Sequence, residues 1–274
     1  MIIDSHQHFW KYQPERDVWI DETMSVLKRD FLPKDLAPLL EREGVNGCVA
    51  VQADQSEEET EFLLKCAEKN AFVKGVVGWV DLCSANIEER LVHFSQNPLL
   101  KGVRHIAQAE KDDYFLREDV QRGIALLSKY QLTFDLLIYP HQLPAAIALA
   151  KTFPKQKFVL DHLAKPLIGS TIPELWRSHM HQLSKNENVF CKLSGMVTET
   201  ESKDFDSSEF TPFMNIILEY FGTERILYGS DWPVCLLAAD YKNVFQLVQN
   251  FISQFDERIQ ARILGENAIT FYNL

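Results

Sequence analysis

No apolar run in this 274-residue chain approaches the roughly 20 residues of a membrane span, and the first residues lack the basic and apolar regions of a secretion signal. The five cysteines form no C-x-x-C pair and are odd in number, which argues against a disulfide framework or a cysteine zinc site. No glycine-rich phosphate loop follows the first apolar run, which weakens a doubly wound nucleotide-binding sheet. No proline-, glycine- or serine-rich linker divides the chain, so one domain over 1–274 is expected. Basic residues are the minority: 28 against 39 acidic, a formal charge of −11. Such a chain repels nucleic acid and anionic membranes. The expectation is a soluble cytoplasmic protein whose partner is a small molecule.

Hydrophobic residues make up 46% of the chain, enough for a large core. They are ordered as short apolar runs alternating with longer amphipathic stretches. The runs are 2–6, 47–52, 73–80, 100–104 (the weakest), 132–138, 157–161, 189–193 and 225–230. Their length and β-branched content predict strands. The stretches between read as helices: Pro33 opens one that Gly44 closes, Ser56 with Glu59 has capping-box spacing, and 145–153, 173–183 and 210–221 continue the alternation. Repeated βα units imply a parallel sheet with helices outside, and eight units in about 250 residues predict an α/β (β/α)₈ TIM barrel. Segments 10–32 and 194–209 are long enough to cover the C-terminal ends of the strands, where barrels place their sites.

Polar residues cluster at those ends. His6 and His8 stand two apart at the end of the first strand, so their side chains share a face. The H-x-H pair suits a metal, or two neutral donors that polarise a carbonyl; a chance surface pair is the competing reading. His162 directly follows the sixth strand and Asp231 the eighth. Either alone reads equally well as a turn or cap residue. In a barrel, however, the first and eighth strands are neighbours, which brings Asp231 beside His6 and His8. A carboxylate there can bind a metal or act as general base to water.

Arg104 and His105 end the fourth strand, Gln52 the second and Trp79 the third. A buried arginine must be paired or face a substrate, and the two readings weigh equally for Arg104. Trp79 and Trp232 carry flat faces of the kind on which sugar rings stack; for Trp79, core packing weighs the same. Asp135, in mid-strand, reads as a structural partner of Arg104. Lys165 and Lys192 read as site cations or solvated charges, and His93, His179 and His181 as surface or locally satisfied residues.

Three stretches carry a resemblance. Asp-Ser-His-Gln-His at the start, Leu-Asp-His-Leu-Ala-Lys-Pro in the middle and Leu-Tyr-Gly-Ser-Asp-Trp-Pro near the end, with a closing Leu-Gly-Glu-Asn-Ala-Ile-Thr-Phe-Tyr, resemble the amidohydrolase superfamily. More narrowly they resemble its amidohydrolase 2 branch, which includes sugar lactonases of the L-fuconolactonase and L-rhamnonolactonase types and a pyrone-dicarboxylate lactonase. The resemblance spans the chain in order. It implies the barrel, water attack on a carbonyl, and site roles for His6, His8, His162 and Asp231. Two-metal members carry a bridging Lys or Glu after strand four and a His after strand five. Here those places hold Val103-Arg104-His105 and Leu137-Ile138-Tyr139-Pro140, with His141 arriving late. At most one divalent ion, zinc by ligand type, is then expected on His6, His8 and Asp231, in a site that accepts it without depending on it.

On this reading Asp231 is the base of a lactone hydrolase. His162, Arg104, and either metal or His6 with His8 stabilise the oxyanion, and Arg104, His105, Gln52, Trp79 and Trp232 contact substrate. The alternatives are a metal-dependent decarboxylase on the same scaffold and a small-molecule-binding barrel without catalysis.

Overall fold

A computed structural model of the protein describes residues 1–169, 171–200 and 206–274. Eight parallel strands pair in chain order: β1 (Ile3–Gln7), β2 (Gly47–Val51), β3 (Val73–Gly78), β4 (Leu100–His105), β5 (Thr133–Leu136), β6 (Phe158–Leu160), β7 (Val189–Leu193) and β8 (Ile226–Tyr228). The ring closes where β1 runs past β8. Gln7 bridges Trp232, the His6 carbonyl accepts from Asp231 N at 2.8 Å, and the Trp232 carbonyl accepts from His8 N at 2.7 Å. Eight main helices lie between successive strands and after the last: α1 (Pro33–Glu43), α2 (Glu57–Lys69), α3 (Ile87–Phe94), α4 (Glu118–Leu127), α5 (Leu143–Thr152), α6 (Glu174–Ser184), α7 (Thr211–Phe221) and α8 (Tyr241–Ile252). This is the expected (β/α)₈ barrel.

The period-two alternation of each strand sorts its residues between two cores. Cys48, Ala50, Phe134, Leu136, Phe158, Leu160, Cys191 and Leu193 face outward into the layer beneath the helices. Ile3, Val49, Val51, Val77, Val159 and Leu227 fill the barrel, whose floor is covered by Ala268, Phe271 and Tyr272 of a C-terminal helix, α10 (Asn267–Tyr272), reached through the short α9 (Glu257–Ala261). The inner positions one step from the outward residues are polar on three strands of one side of the barrel: Arg104 on β4, Asp135 on β5 and Lys192 on β7.

Local expectations meet one adjustment. Gly44 ends α1 in the left-handed conformation at φ 69°, as its position after the helix suggested. Ser56 caps α2 by accepting from Glu59 N at 3.2 Å, but the Glu59 carboxylate does not return to Ser56 as a capping box would. It reaches further back and accepts from Ala53 N at 2.5 Å and Asp54 N at 3.0 Å, bracing the loop after β2. The segment 10–32 folds onto itself through an antiparallel bridge between Trp10 and Phe31, and the Phe31 ring meets Trp232 edge-on at 5.3 Å. It therefore packs beside the end of β8. Of segment 194–209, residues 201–205 lie outside the described residues. Among the described residues, no helix is long and apolar enough to cross a membrane.

Candidate active site

Three strand ends bring the predicted imidazoles and carboxylate together. His6 is the penultimate residue of β1 and His8 follows the strand, and both are buried. After β6 the chain turns through four successive residues with positive φ, His162 to Lys165, at 52–59°. Non-glycine residues rarely adopt this region, and a run of them is held only by surrounding structure. The turn aims the His162 ring at β1, 4.5 Å from the His6 ring centre. Asp231, also at positive φ (58°), follows β8 and points at the same place. Its Oδ1 lies 3.2 Å from His8 Nε2, 3.7 Å from His6 Nε2 and 3.9 Å from His162 Nε2.

Second partners set the orientation of each ring. His8 Nδ1 lies 2.7 Å from the carbonyl of Val51, which accepts but cannot donate, so Nδ1 carries a hydrogen. In a neutral His8, Nε2 is then a lone pair facing a carboxylate oxygen. A proton or a metal cation between the two relieves that opposition. A second nitrogen tied to a backbone carbonyl is the usual setting of a metal-ligating histidine. Two imidazoles and a carboxylate also make a zinc-type donor set, so His6, His8 and Asp231 fit one divalent ion. His162 Nδ1 meets the Ser194 hydroxyl at 2.9 Å, beneath Gly195. A Cβ on Gly195 would stand 2.3 Å from His162 Nδ1, and φ there is 58°, so glycine is required twice over.

Below this cluster lies a fully buried layer of charge. Arg104 Nη1 donates to Asp161 Oδ2 at 3.1 Å and stands 3.2 Å from His6 Nε2, while Nη2 is bonded to the carbonyl of Gln52. Gln52 returns its amide to the Arg104 carbonyl at 3.1 Å. Lys192 Nζ reaches Asp135 Oδ2 at 2.5 Å and Asp161 Oδ1 at 2.9 Å, and Tyr272 donates to the same Asp135 oxygen at 2.7 Å. The expected Asp135–Arg104 pair is therefore replaced. Asp135 pairs with Lys192 two strands away, and Arg104 with Asp161, which sits one step past the end of β6. Lys192 is buried rather than solvated.

The environment separates the charge states. Burial pushes the His162 imidazole down to about 4, against the pull of Asp231 and Asp161, and lowers His6 well below its usual value. Burial would raise Asp231, but His162, His8 and His6 outweigh it and hold the carboxyl below the usual range. Asp161 is likewise held well down against burial by Lys192, His6 and Arg104. At neutral pH an ionised Asp231 thus faces neutral His6 and His162 rings.

The remaining predicted residues stand apart from this cluster. Trp79, partly exposed, donates from Nε1 to His105 Nδ1 at 3.2 Å, and His105 Nε2 meets Glu110 at 3.2 Å while its ring stacks on Tyr114. They form a second polar group above β3 and β4. Trp232 is 2% exposed and enclosed by Phe9 and Phe31, so it offers no open face for a sugar ring; its position is set by the bend after β8. Lys165 pairs with Glu199 at 3.2 Å. His141 lies in a short turn before α5 and pairs with Asp112 at the surface. Asp161 and Ser194 were not singled out as site residues from sequence, and Lys192 only as a site cation or a solvated charge. A lysine within Val-Phe-Cys-Lys-Leu was the available signal, since an apolar strand holds a charge only if something inside answers it.

Comparison with known proteins bears on what such a cluster does. The amidohydrolase 2 family model, described as "Amidohydrolase", matches residues 3–274. The chain belongs to the amidohydrolase family. This amidohydrolase is a hydrolase by that membership, and its relatives are named accordingly. It is 37% identical over 277 residues to the L-fucono-1,5-lactonase of Burkholderia ambifaria, covering 99% of this chain and 95% of that one. It is 36% identical over 284 residues to the L-fucono-1,5-lactonase of Burkholderia multivorans, covering 99% and 96%. A crystal structure of an amidohydrolase from Burkholderia multivorans with bound zinc superposes with a TM-score of 0.96 at 36% identity, covering 100% of this chain and 99% of the other.

Proposed function

We propose that the protein opens a neutral sugar-acid lactone of the L-fucono-1,5-lactone class, with Asp231 as general base. The observation that carries this reading is the ionised Asp231 carboxylate set 3.2–3.9 Å from three imidazoles at the barrel mouth. Whole-chain similarity to two lactonases of that name supports the substrate class.

Asp231 takes a proton from a water molecule as the water oxygen bonds to the lactone carbonyl carbon. With the Ser194 hydroxyl as donor to His162 Nδ1, the ring hydrogen sits on Nε2, facing the site. From there His162 donates to the carbonyl oxygen as negative charge develops on it. The bond from carbonyl carbon to ring oxygen then breaks, and Asp231 returns the proton to that oxygen. The product is an open hydroxy acid, which releases one proton at neutral pH. His6, His8 and Asp231 would hold a divalent ion, which when bound acts as a Lewis acid on water or carbonyl. Arg104 acts from behind His6: it is 3% exposed and committed to Asp161 and Gln52. Trp79 remains the ring available to a sugar face.

A neutral lactone is favoured over a dicarboxylate on charge. Arg104 and Lys192 are both engaged by buried carboxylates, and Lys165 by Glu199. None of these cations is left to neutralise a substrate dianion, which would want several. A pH-indicator screen over stereoisomeric aldonolactones and a dicarboxylate lactone, with and without chelator, tests the proposal. Opening of L-fucono-1,5-lactone and its near stereoisomers is expected. Turnover of the dicarboxylate alone would overturn it.

A further inference from the structure

Two overlapping sets of residues have the composition of a metal site: His6–His8–Asp231 and His6–Asp161–His162, each with donor atoms within 4.8 Å of one another. On residue type alone the barrel offers a two-metal centre. We propose that Lys192 and Arg104 stand in for the second cation. They close the His6–Asp161–His162 set to metal and leave Asp161 as a positioning residue for His6.

Both Asp161 oxygens already face positive or ring nitrogens. Oδ1 meets Lys192 Nζ at 2.9 Å and His6 Nδ1 at 3.3 Å, and Oδ2 meets Arg104 Nη1 at 3.1 Å. Two fixed single charges supply this carboxylate with what one divalent ion would. Lys192 cannot easily swing away, because Asp135 holds it from the other side at 2.5 Å and Tyr272 in turn holds Asp135 at 2.7 Å. Lys192, Asp135 and Asp161 are fully buried, so an ammonium displaced by a metal would lose its partners with no water to replace them.

The other two members of the set are also engaged. His6 Nδ1, the nitrogen nearest Asp161 Oδ1 at 3.3 Å, also has Lys192 Nζ at 3.1 Å, so a fixed ammonium stands where a second ion would need that nitrogen. His162 turns Nδ1 to Ser194 and Nε2 to Asp231. The set is metal-like in its residues and closed in its bonding.

Counting zinc tests this, independently of turnover. Chelator-stripped wild type, Lys192→Ala and Arg104→Leu are equilibrated with Zn²⁺, desalted and assayed by elemental analysis. Wild type is expected to hold at most one equivalent and Lys192→Ala one more than wild type. Adding His162→Asn to Lys192→Ala should remove the extra equivalent. Two equivalents in wild type, or no gain in both single variants, would overturn the proposal. If a variant is unfolded when metal-free, circular dichroism follows the titration. Recovery of structure with zinc supports the inference, and failure to recover counts against it. The metal reading of the first set fails separately: zero equivalents in wild type with one in Lys192→Ala would refute that reading and keep this one.

Discussion

His8 Nε2 lies 3.2 Å from Asp231 Oδ1 while His8 Nδ1 is bound to the carbonyl of Val51 at 2.7 Å. This fixes which nitrogen faces the site and places the Asp231 carboxylate where the rings converge. Asp231→Asn keeps the shape and removes the base. It should lower kcat for lactone opening by about 10²–10⁴-fold, the usual yield of a positioned general base. Affinity for an unreactive lactone analogue, measured by calorimetry, should change little. A variant that keeps its kcat would show that Asp231 is not the base.

Ser194 and Gly195 act on the chemistry through His162. Ser194→Ala removes the 2.9 Å bond to Nδ1 and frees the ring to take the other tautomer. Loss of one orienting hydrogen bond, worth about 1–1.5 kcal/mol, predicts a fall in kcat of about tenfold with KM nearly unchanged. Gly195→Ala should cost more, about 10²-fold, because its Cβ would meet the ring at 2.3 Å and displace it. Steady-state kinetics on the two variants gives the order. The idea is lost if the alanine at 195 is the milder change.

Much of this site was legible before any coordinates. Strong β-branched runs such as Val76-Val77 mark strands because nothing else accommodates them so well, and counting them reaches the barrel. H-x-H and Ser-Asp-Trp-Pro stand at strand ends, so barrel geometry alone brings His6, His8 and Asp231 together. What could not be read is bonding across the lumen. Asp135 is as close in sequence logic to Arg104 on the adjacent strand as to Lys192 on β7. Only the tilt and stagger of the strands decides that Lys192 takes Asp135 and leaves Arg104 to Asp161. The left-handed turn at His162–Lys165 was also hidden, since none of those residues is a glycine that would announce it. Trp232 misled for a related reason: an aromatic at a strand end looks like a sugar platform until the loop carrying Phe31 is seen to cover it.

The acid limb of the pH profile should report the site's electrostatics. His162 takes up a proton only near pH 4, and the Asp231 carboxyl is held below its usual range. Both groups are therefore in their working forms above that point; protonation of Asp231 removes the base, and a cationic His162 3.9 Å from Asp231 weakens it. kcat/KM in chelated enzyme should stay level as pH falls through the ordinary imidazole range and decline only toward about 4. A decline centred near 6.5 would mean that His162 titrates as an exposed histidine does.

Asp4 offers a test of stability rather than turnover. It faces outward from β1, where Oδ1 accepts from Ser230 N at 2.9 Å and His6 N at 3.1 Å, and Oδ2 accepts from Tyr241 at 3.2 Å. Burial nevertheless raises its carboxyl to about 6. The unfolded chain releases this proton near pH 3.9, so between there and about 6 the folded state holds more protons than the unfolded one. Stability from this group therefore falls as pH rises across that window and levels off above it, with a total of up to about 3 kcal/mol. Asp4→Asn keeps the Oδ1 acceptor and carries no charge. Urea unfolding at pH 5 and pH 8 should show the variant gaining on wild type by about 1–2 kcal/mol at the higher pH. Other titrating groups cancel in that difference because both proteins share them. If instead the variant loses ground at pH 8, the hydrogen bonds around Asp4 favour its ionised form over the cost of burying it.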